Sequence, residues 1–196
     1  KLFGVPALRE IHDPHYFIHI PKAAGTSVKK YLLDQGLPEV VLTHRTTLPN
    51  YKLPHEFLKK EDQNAFCIVR NPFTRLASAY FFLQEGGMGP SDVLDYKEYF
   101  SNYDGFEDFV LRGLGEDDTR KSLLEQTHLI PQTRFLVNAN GDLCVAPRNI
   151  LRFENLEEDL ARYLSSRGHF FEGLPWKNRT GNKQNYLDLY LEDDGT

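Results

Sequence analysis

The sequence predicts an α/β fold with a mostly parallel central sheet, on three observations. Three short apolar runs, Tyr16-Phe17-Ile18-His19-Ile20, Val40-Val41-Leu42-Thr43 and Phe66-Cys67-Ile68-Val69, have the length and the β-branched or aromatic content of buried strands. Each precedes a helical pattern or a turn-rich loop, the alternation that builds parallel sheets covered by helices. The first run also leads directly into Pro21-Lys22-Ala23-Ala24-Gly25-Thr26-Ser27, a loop of small residues that opens a helix.

Taken in order, the first strand hands over to a helix from Thr26 to Asp34, and the second ends just before His44. After Val69, Arg70 precedes a helix over Pro72 to Gln84, with Pro72 at its first position and Asn71 as its N-cap. Gly86-Gly87-Met88-Gly89-Pro90 stops that helix, and the polar, aromatic-rich segment through Tyr103 reads as a long surface excursion, the kind of segment that carries specificity. Helical patches follow within Gly105 to Arg112 and around Ser122 to Gln126. Two later runs, Arg134 to Val137 and Asn149 to Phe153, are expected to add strands. Asn155 is expected to cap a last helix, Leu156 to Ser166, whose Glu157, Glu158 and Asp159 complement the dipole at its start. That acidic run is structural, not catalytic.

The 196 residues, 40% hydrophobic and 26% charged, fit one globular domain spanning the chain, and no repeat or linker divides it. A net charge of −5 argues against a non-specific nucleic-acid binder, so an anion site would have to be local. No run reaches the roughly 18 apolar residues of a membrane helix, and no membrane contact by this segment is expected. Cys67 lies inside an apolar run, which favours reduced, buried thiols for Cys67 and Cys144 over a disulfide. Cysteine usage therefore leans towards the cytoplasm.

The opening loop suits an anion, because the unpaired N–H groups and the dipole of the helix it starts face the loop. Phosphate is the default ligand. A Walker A loop, however, places lysine directly before the hydroxyl residue, whereas Lys22 stands at the front of this one, so either the anion or the reaction differs. Arg70, at the carboxyl end of a strand, is expected to project into the crevice where open α/β sheets bind ligands. Its forked donors suit a phosphate, and Ser78, two turns into the helix, could add a hydroxyl from the same side.

These residues carry a resemblance to a known family. Ile18 to Ser27 resembles the 5′-phosphosulfate loop of sulfotransferases, in particular the carbohydrate type that includes heparan 2-O-sulfotransferase. Arg70-Asn71-Pro72 with Arg75, Ser78 and Tyr80 resembles the same family's 3′-phosphate motif, R-[ND]-P-x-x-R-x-x-S-x-Y. His128-Leu129-Ile130-Pro131-Gln132 is similar to an H-x-x-P-Q segment of these enzymes, and Leu151-Arg152-Phe153-Glu154-Asn155-Leu156 to one of their strand-to-helix exits.

The resemblance implies a P-loop NTPase-like three-layer fold that usually continues into one more helix after Asp194, and, as the alternative to a cytoplasmic location, the Golgi lumen with the membrane anchor removed. It also implies 3′-phosphoadenosine 5′-phosphosulfate as co-substrate without a metal, and a hydroxyl-bearing acceptor, a glycan or small molecule. Under it, Lys22 neutralises charge on the leaving phosphate, while Ala23, Ala24, Gly25, Thr26 and Ser27 help hold the 5′ end of the donor. Arg70 and Ser78 hold the 3′-phosphate. Arg179, in the basic loop Lys177 to Lys183, covers the donor, unless that loop is simply solvated or its Asn178-Arg179-Thr180 sequon is modified. His44 is the base for the acceptor hydroxyl, since the family's catalytic histidine lies between the two donor motifs, although Thr43-His44-Arg45-Thr46 lacks the H-x-H pattern. His19 fits a structural hydrogen bond, His128 a substrate or a structural contact, and Arg75 a donor contact or a salt bridge. The rival readings are a small P-loop kinase and a non-catalytic glycan-binding module on the same fold.

Overall fold

The computed structural model describes residues 15–37, 39–42, 55–174 and 189–190. Its sheet comprises β1 (His15–Ile18), β2 (Glu39–Leu42), β3 (Ala65–Val69) and β4 (Ile150–Arg152), in the order β2-β1-β3-β4 with every neighbouring pair parallel. Chain connections leave β1 and β3 in opposite directions across the sheet, β1 towards β2 and β3 towards β4. The carboxyl ends of these two neighbours therefore flank a topological switch point, the position at which open α/β sheets form a binding crevice.

Strand register places Phe17 beside Phe66, whose rings stack at 4.7 Å between centroids, and Tyr163 lies over Phe66 at 4.3 Å. Tyr163 comes from α6 (Leu156–Ser165), whose buried Leu156, Leu160, Tyr163 and Leu164 form one stripe. The same core takes Val28, Tyr31 and Leu32 of α1 (Gly25–Asp34). A second apolar cluster gathers around α2 (Pro72–Gln84), with helices flanking the sheet to complete a three-layer α/β arrangement. At its centre the fully buried Tyr80 ring contacts Phe100, Phe106 and Phe109. Cys67 and Cys144 are buried free thiols, as expected.

Four expectations need correction. The excursion after Gly86 contains a regular helix, α3 (Pro90–Tyr99), which starts at a proline and packs on α2. The helical patch expected within 105–112 is present, as α4 (Gly105–Asp108) running into a π turn, whereas the next helix, α5 (Asp117–Leu123), begins earlier than expected. Arg134 to Val137 is not a strand: Pro131 starts a 3-10 turn, Gln132–Phe135, and Val137 makes only an isolated bridge to Leu143. Asn155 does not cap α6 through its side chain, because the chain enters by a 3-10 turn, Phe153–Asn155. Asp159 in the first turn instead accepts the Arg152 N–H at 2.8 Å. Among the described residues no helix is long and apolar enough to cross a membrane.

Candidate active site

The loop after β1 holds two non-glycine residues in the left-handed region, Lys22 (φ 67°) and Ala24 (φ 62°). Each conformation costs roughly 1 kcal/mol, so the loop must be fixed from outside. Arg75 of α2, only 6% exposed, supplies that restraint by donating Nε to the Pro21 carbonyl at 2.9 Å and Nη1 to the Ile130 carbonyl at 3.1 Å. Arg70 Nη1 adds a bond to the Lys22 carbonyl at 3.1 Å. Ala24 then opens α1, and Gly25 lies so close to the His19 ring that a Cβ there would overlap it. Left-handed residues ahead of a helix turn backbone N–H groups towards one concavity, a geometry suited to anions.

A second cradle forms after β3. Asn71 caps α2 by accepting from Phe73 N at 3.0 Å and Thr74 N at 3.3 Å, and Pro72 occupies the first helical position, as expected. The Gln132 amide clasps the Arg70 backbone from both sides, its Oε1 accepting from Arg70 N at 2.9 Å and its Nε2 donating to Arg70 O at 2.7 Å. Glu154 Oε1 accepts the Asn71 N–H at 2.7 Å, and the Arg70 guanidinium lies 4.2 Å from the Phe153 ring centroid. Both of the weaker sequence segments, His128 to Gln132 and Leu151 to Leu156, thus converge on the dipeptide Arg70-Asn71. Thr74 Oγ1 accepts from Arg70 Nε at 3.1 Å and aims the fork, a role the sequence reading missed. Its signal was positional, because Thr74 lies one helical turn after Arg70 and one before the half-buried Ser78.

The electrostatics of the two cradles are coupled. Burial, and then Arg70, pull the Lys22 ammonium down to about 7, with Asp92 and Glu85 opposing and Arg75 adding to the fall. Burial and Arg70 similarly bring Arg75 down to about 10. Lys22 Nζ rests 3.5 Å from the centroid of the Phe82 ring, a face that tolerates a cation. Arg75 Nη2 is buried with no hydrogen-bond partner among the described residues. Three mutually repelling cations beside an orphaned donor would be relieved by an anion, so the residues present fit a phosphate-bearing ligand.

A family model described as "Sulfotransferase family" matches residues 11–185. The chain belongs to the sulfotransferase family. No curated protein and no solved structure matches it. Sulfuryl transfer from a sulfate donor is therefore its general chemistry.

Of the residues expected in this sulfotransferase site, the structure brings Lys22, Ala23, Ala24, Gly25, Thr26 and Ser27 into one loop and first helical turn, joined to Arg70 and α2 by the bonds above. Thr26 is exposed and Ser27 buried. His44 and Arg179 lie outside the described residues. Among the described residues, the Leu42 carbonyl, at the end of β2, accepts the His19 N–H at 2.9 Å, and the Tyr190 hydroxyl donates to the Phe73 carbonyl at 2.8 Å. Arg75 is a backbone clasp with no salt bridge among the described residues. His128 does not join the donor cradles; its Nε2 lies 3.5 Å from Asp92 Oδ1 and its ring 5.3 Å from Phe82.

Proposed function

We propose that this sulfotransferase uses 3′-phosphoadenosine 5′-phosphosulfate and sulfates a hydroxyl group on a carbohydrate. The observation that carries the reading is the pair of basic cradles at the ends of neighbouring strands, joined by the Arg70 bond to the Lys22 carbonyl. A donor with phosphate at both ends needs two such cradles a short distance apart, and a simple nucleotide kinase would need only the first.

The bound donor would supply the activated sulfuryl group. In the proposed site, N–H groups of the first turn from Gly25 onward, with the Thr26 and Ser27 hydroxyls, hold the 5′-phosphate. Arg70, aimed by Thr74, and Ser78 hold the 3′-phosphate. Lys22 acts where negative charge develops as the sulfur–oxygen bond breaks, and an ammonium that titrates near neutrality can also deliver a proton there. Transfer is in line between acceptor and leaving oxygens, so positioning and charge neutralisation do most of the work, as in phosphoryl transfer. His44 accepts the acceptor's proton in this reading, an ordinary role for imidazole near neutral pH.

Incubating the protein with the donor and a panel of sugar acceptors, and measuring release of 3′-phosphoadenosine 5′-phosphate, tests the proposal. Release that depends on both donor and acceptor is expected. Absence of donor binding in calorimetry would sink it.

A further inference from the structure

Asp92 belongs to neither donor motif, yet it is among the most buried charged residues described, at 5% exposure in the first turn of α3. Its Oδ2 accepts the Met88 N–H at 2.7 Å, and Gly87 (φ 63°) packs so tightly on it that a Cβ would overlap the carboxylate. Its Oδ1 faces His128 Nε2 at 3.5 Å, the His128 ring abuts Phe82, and the Phe82 ring carries the Lys22 ammonium. Four chain segments thus stack in sequence, from α3 through His128 and α2 to the anion loop.

We propose that Asp92 is a positioning residue for Lys22: it fixes His128 against Phe82, the ring on which the ammonium rests, and sets a negative charge against Arg70 and Arg75. The proposal rests on the reading in which Lys22 serves the sulfuryl donor. Burying a carboxylate is costly unless its charge is used. An asparagine would accept the Met88 N–H equally well, so the turn alone does not call for an acid. The charged groups bearing on Lys22 are Arg70 and Arg75, which repel it, and Asp92 and Glu85, which attract it. His128 lies between Asp92 and the Phe82 ring.

Lys22 reactivity towards acetic anhydride, followed against pH by peptide mass spectrometry in the donor-free protein, reads the effect directly. Wild type should show a midpoint near 7. Asp92→Asn should move it down by about one pH unit and, because an anionic donor draws a proton onto Lys22, weaken 3′-phosphoadenosine 5′-phosphate binding at pH 8 by up to about tenfold, with a smaller loss at pH 6. Each variant's thermal melt is recorded alongside. Should Asp92→Asn fail to fold, Asp92→Ser, smaller and likewise uncharged, carries the same expectation. A folded variant with the wild-type midpoint overturns the proposal, as does one whose donor affinity falls equally at pH 6 and pH 8. If wild type binds no 3′-phosphoadenosine 5′-phosphate, the functional reading fails, and the acylation midpoint still decides whether Asp92 sets Lys22.

Discussion

The Arg70 guanidinium donates to the Lys22 carbonyl, so the arginine that ends β3 holds the backbone of the loop that ends β1. One side chain thereby fixes the spacing of the two anion cradles. It is held in turn by Thr74 Oγ1 and by the Phe153 ring.

Arg70→Lys is consequently not a conservative change. Lysine can place one ammonium, but it cannot reach Thr74 and Lys22 together or stack flat on Phe153. Losing one or more charge-assisted bonds of about 1.5–3 kcal/mol should weaken 3′-phosphoadenosine 5′-phosphate binding by roughly 10- to 100-fold in calorimetry. Unchanged affinity would remove Arg70 from the donor site.

Lys22→Met should lower kcat by about 10²–10³, the scale of losing one charge-stabilising donor, and weaken donor binding by about tenfold at pH 8 and by more at pH 6, where the wild-type ammonium is already charged. Lys22 also gives binding a proton signature. Because it titrates near 7 in the empty site, it is largely neutral at pH 8, and an anionic ligand there should draw in up to about one proton. Binding heats at pH 8 should then vary with the ionisation enthalpy of the buffer. The variation should fade below about pH 6, where Lys22 is already charged, and should vanish in Lys22→Met.

The same group makes stability depend on pH in a defined direction. Its folded value lies below the ordinary lysine value of about 10.5, so between about 7 and 10.5 the unfolded chain binds more protons. Stability from this group therefore rises with pH through that window. Denaturant midpoints measured from pH 7 to 10 should show a positive contribution in wild type that is missing in Lys22→Met.

Arg75→Met tests the clasp under the loop. It strands the Pro21 and Ile130 carbonyls in a buried setting, and about 3 kcal/mol of stability should be lost in urea titration. If stability holds, the left-handed loop is sustained by other contacts.

Gly25→Ala should disturb the loop through His19 rather than through the helix, which alanine favours. In a double-mutant cycle, Gly25→Ala should be far less damaging in a His19→Ala background, with a coupling of about 1–3 kcal/mol. Additive effects would mean that the imidazole is not what excludes a side chain.

What was legible in the sequence was local. Asn71 and Pro72 announce the start of α2 because an N-cap acts within one turn, and strands β1, β2 and β3 stand out as short apolar runs between turn-forming loops. Arg134 to Val137 misled because run length alone does not separate a strand from a 3-10 turn, and Pro131 decides in favour of the turn. The ties from Gln132 and Glu154 to Arg70-Asn71 were hidden, because their residues are 62 and 83 positions apart and only the fold brings them together. Asp92 was equally invisible, since an acid early in a helix ordinarily reads as a dipole partner.

The contacts that shape the two cradles join residues 48, 54, 62 and 83 positions apart. Such long loops close late, so a chain with its strands and helices formed but its tertiary contacts open would have no anion affinity to offer. Donor recognition therefore doubles as a readout of completed folding. A phosphosulfate nucleotide in the growth or refolding medium should act as a template that withdraws only finished molecules from the folding equilibrium and raises their yield.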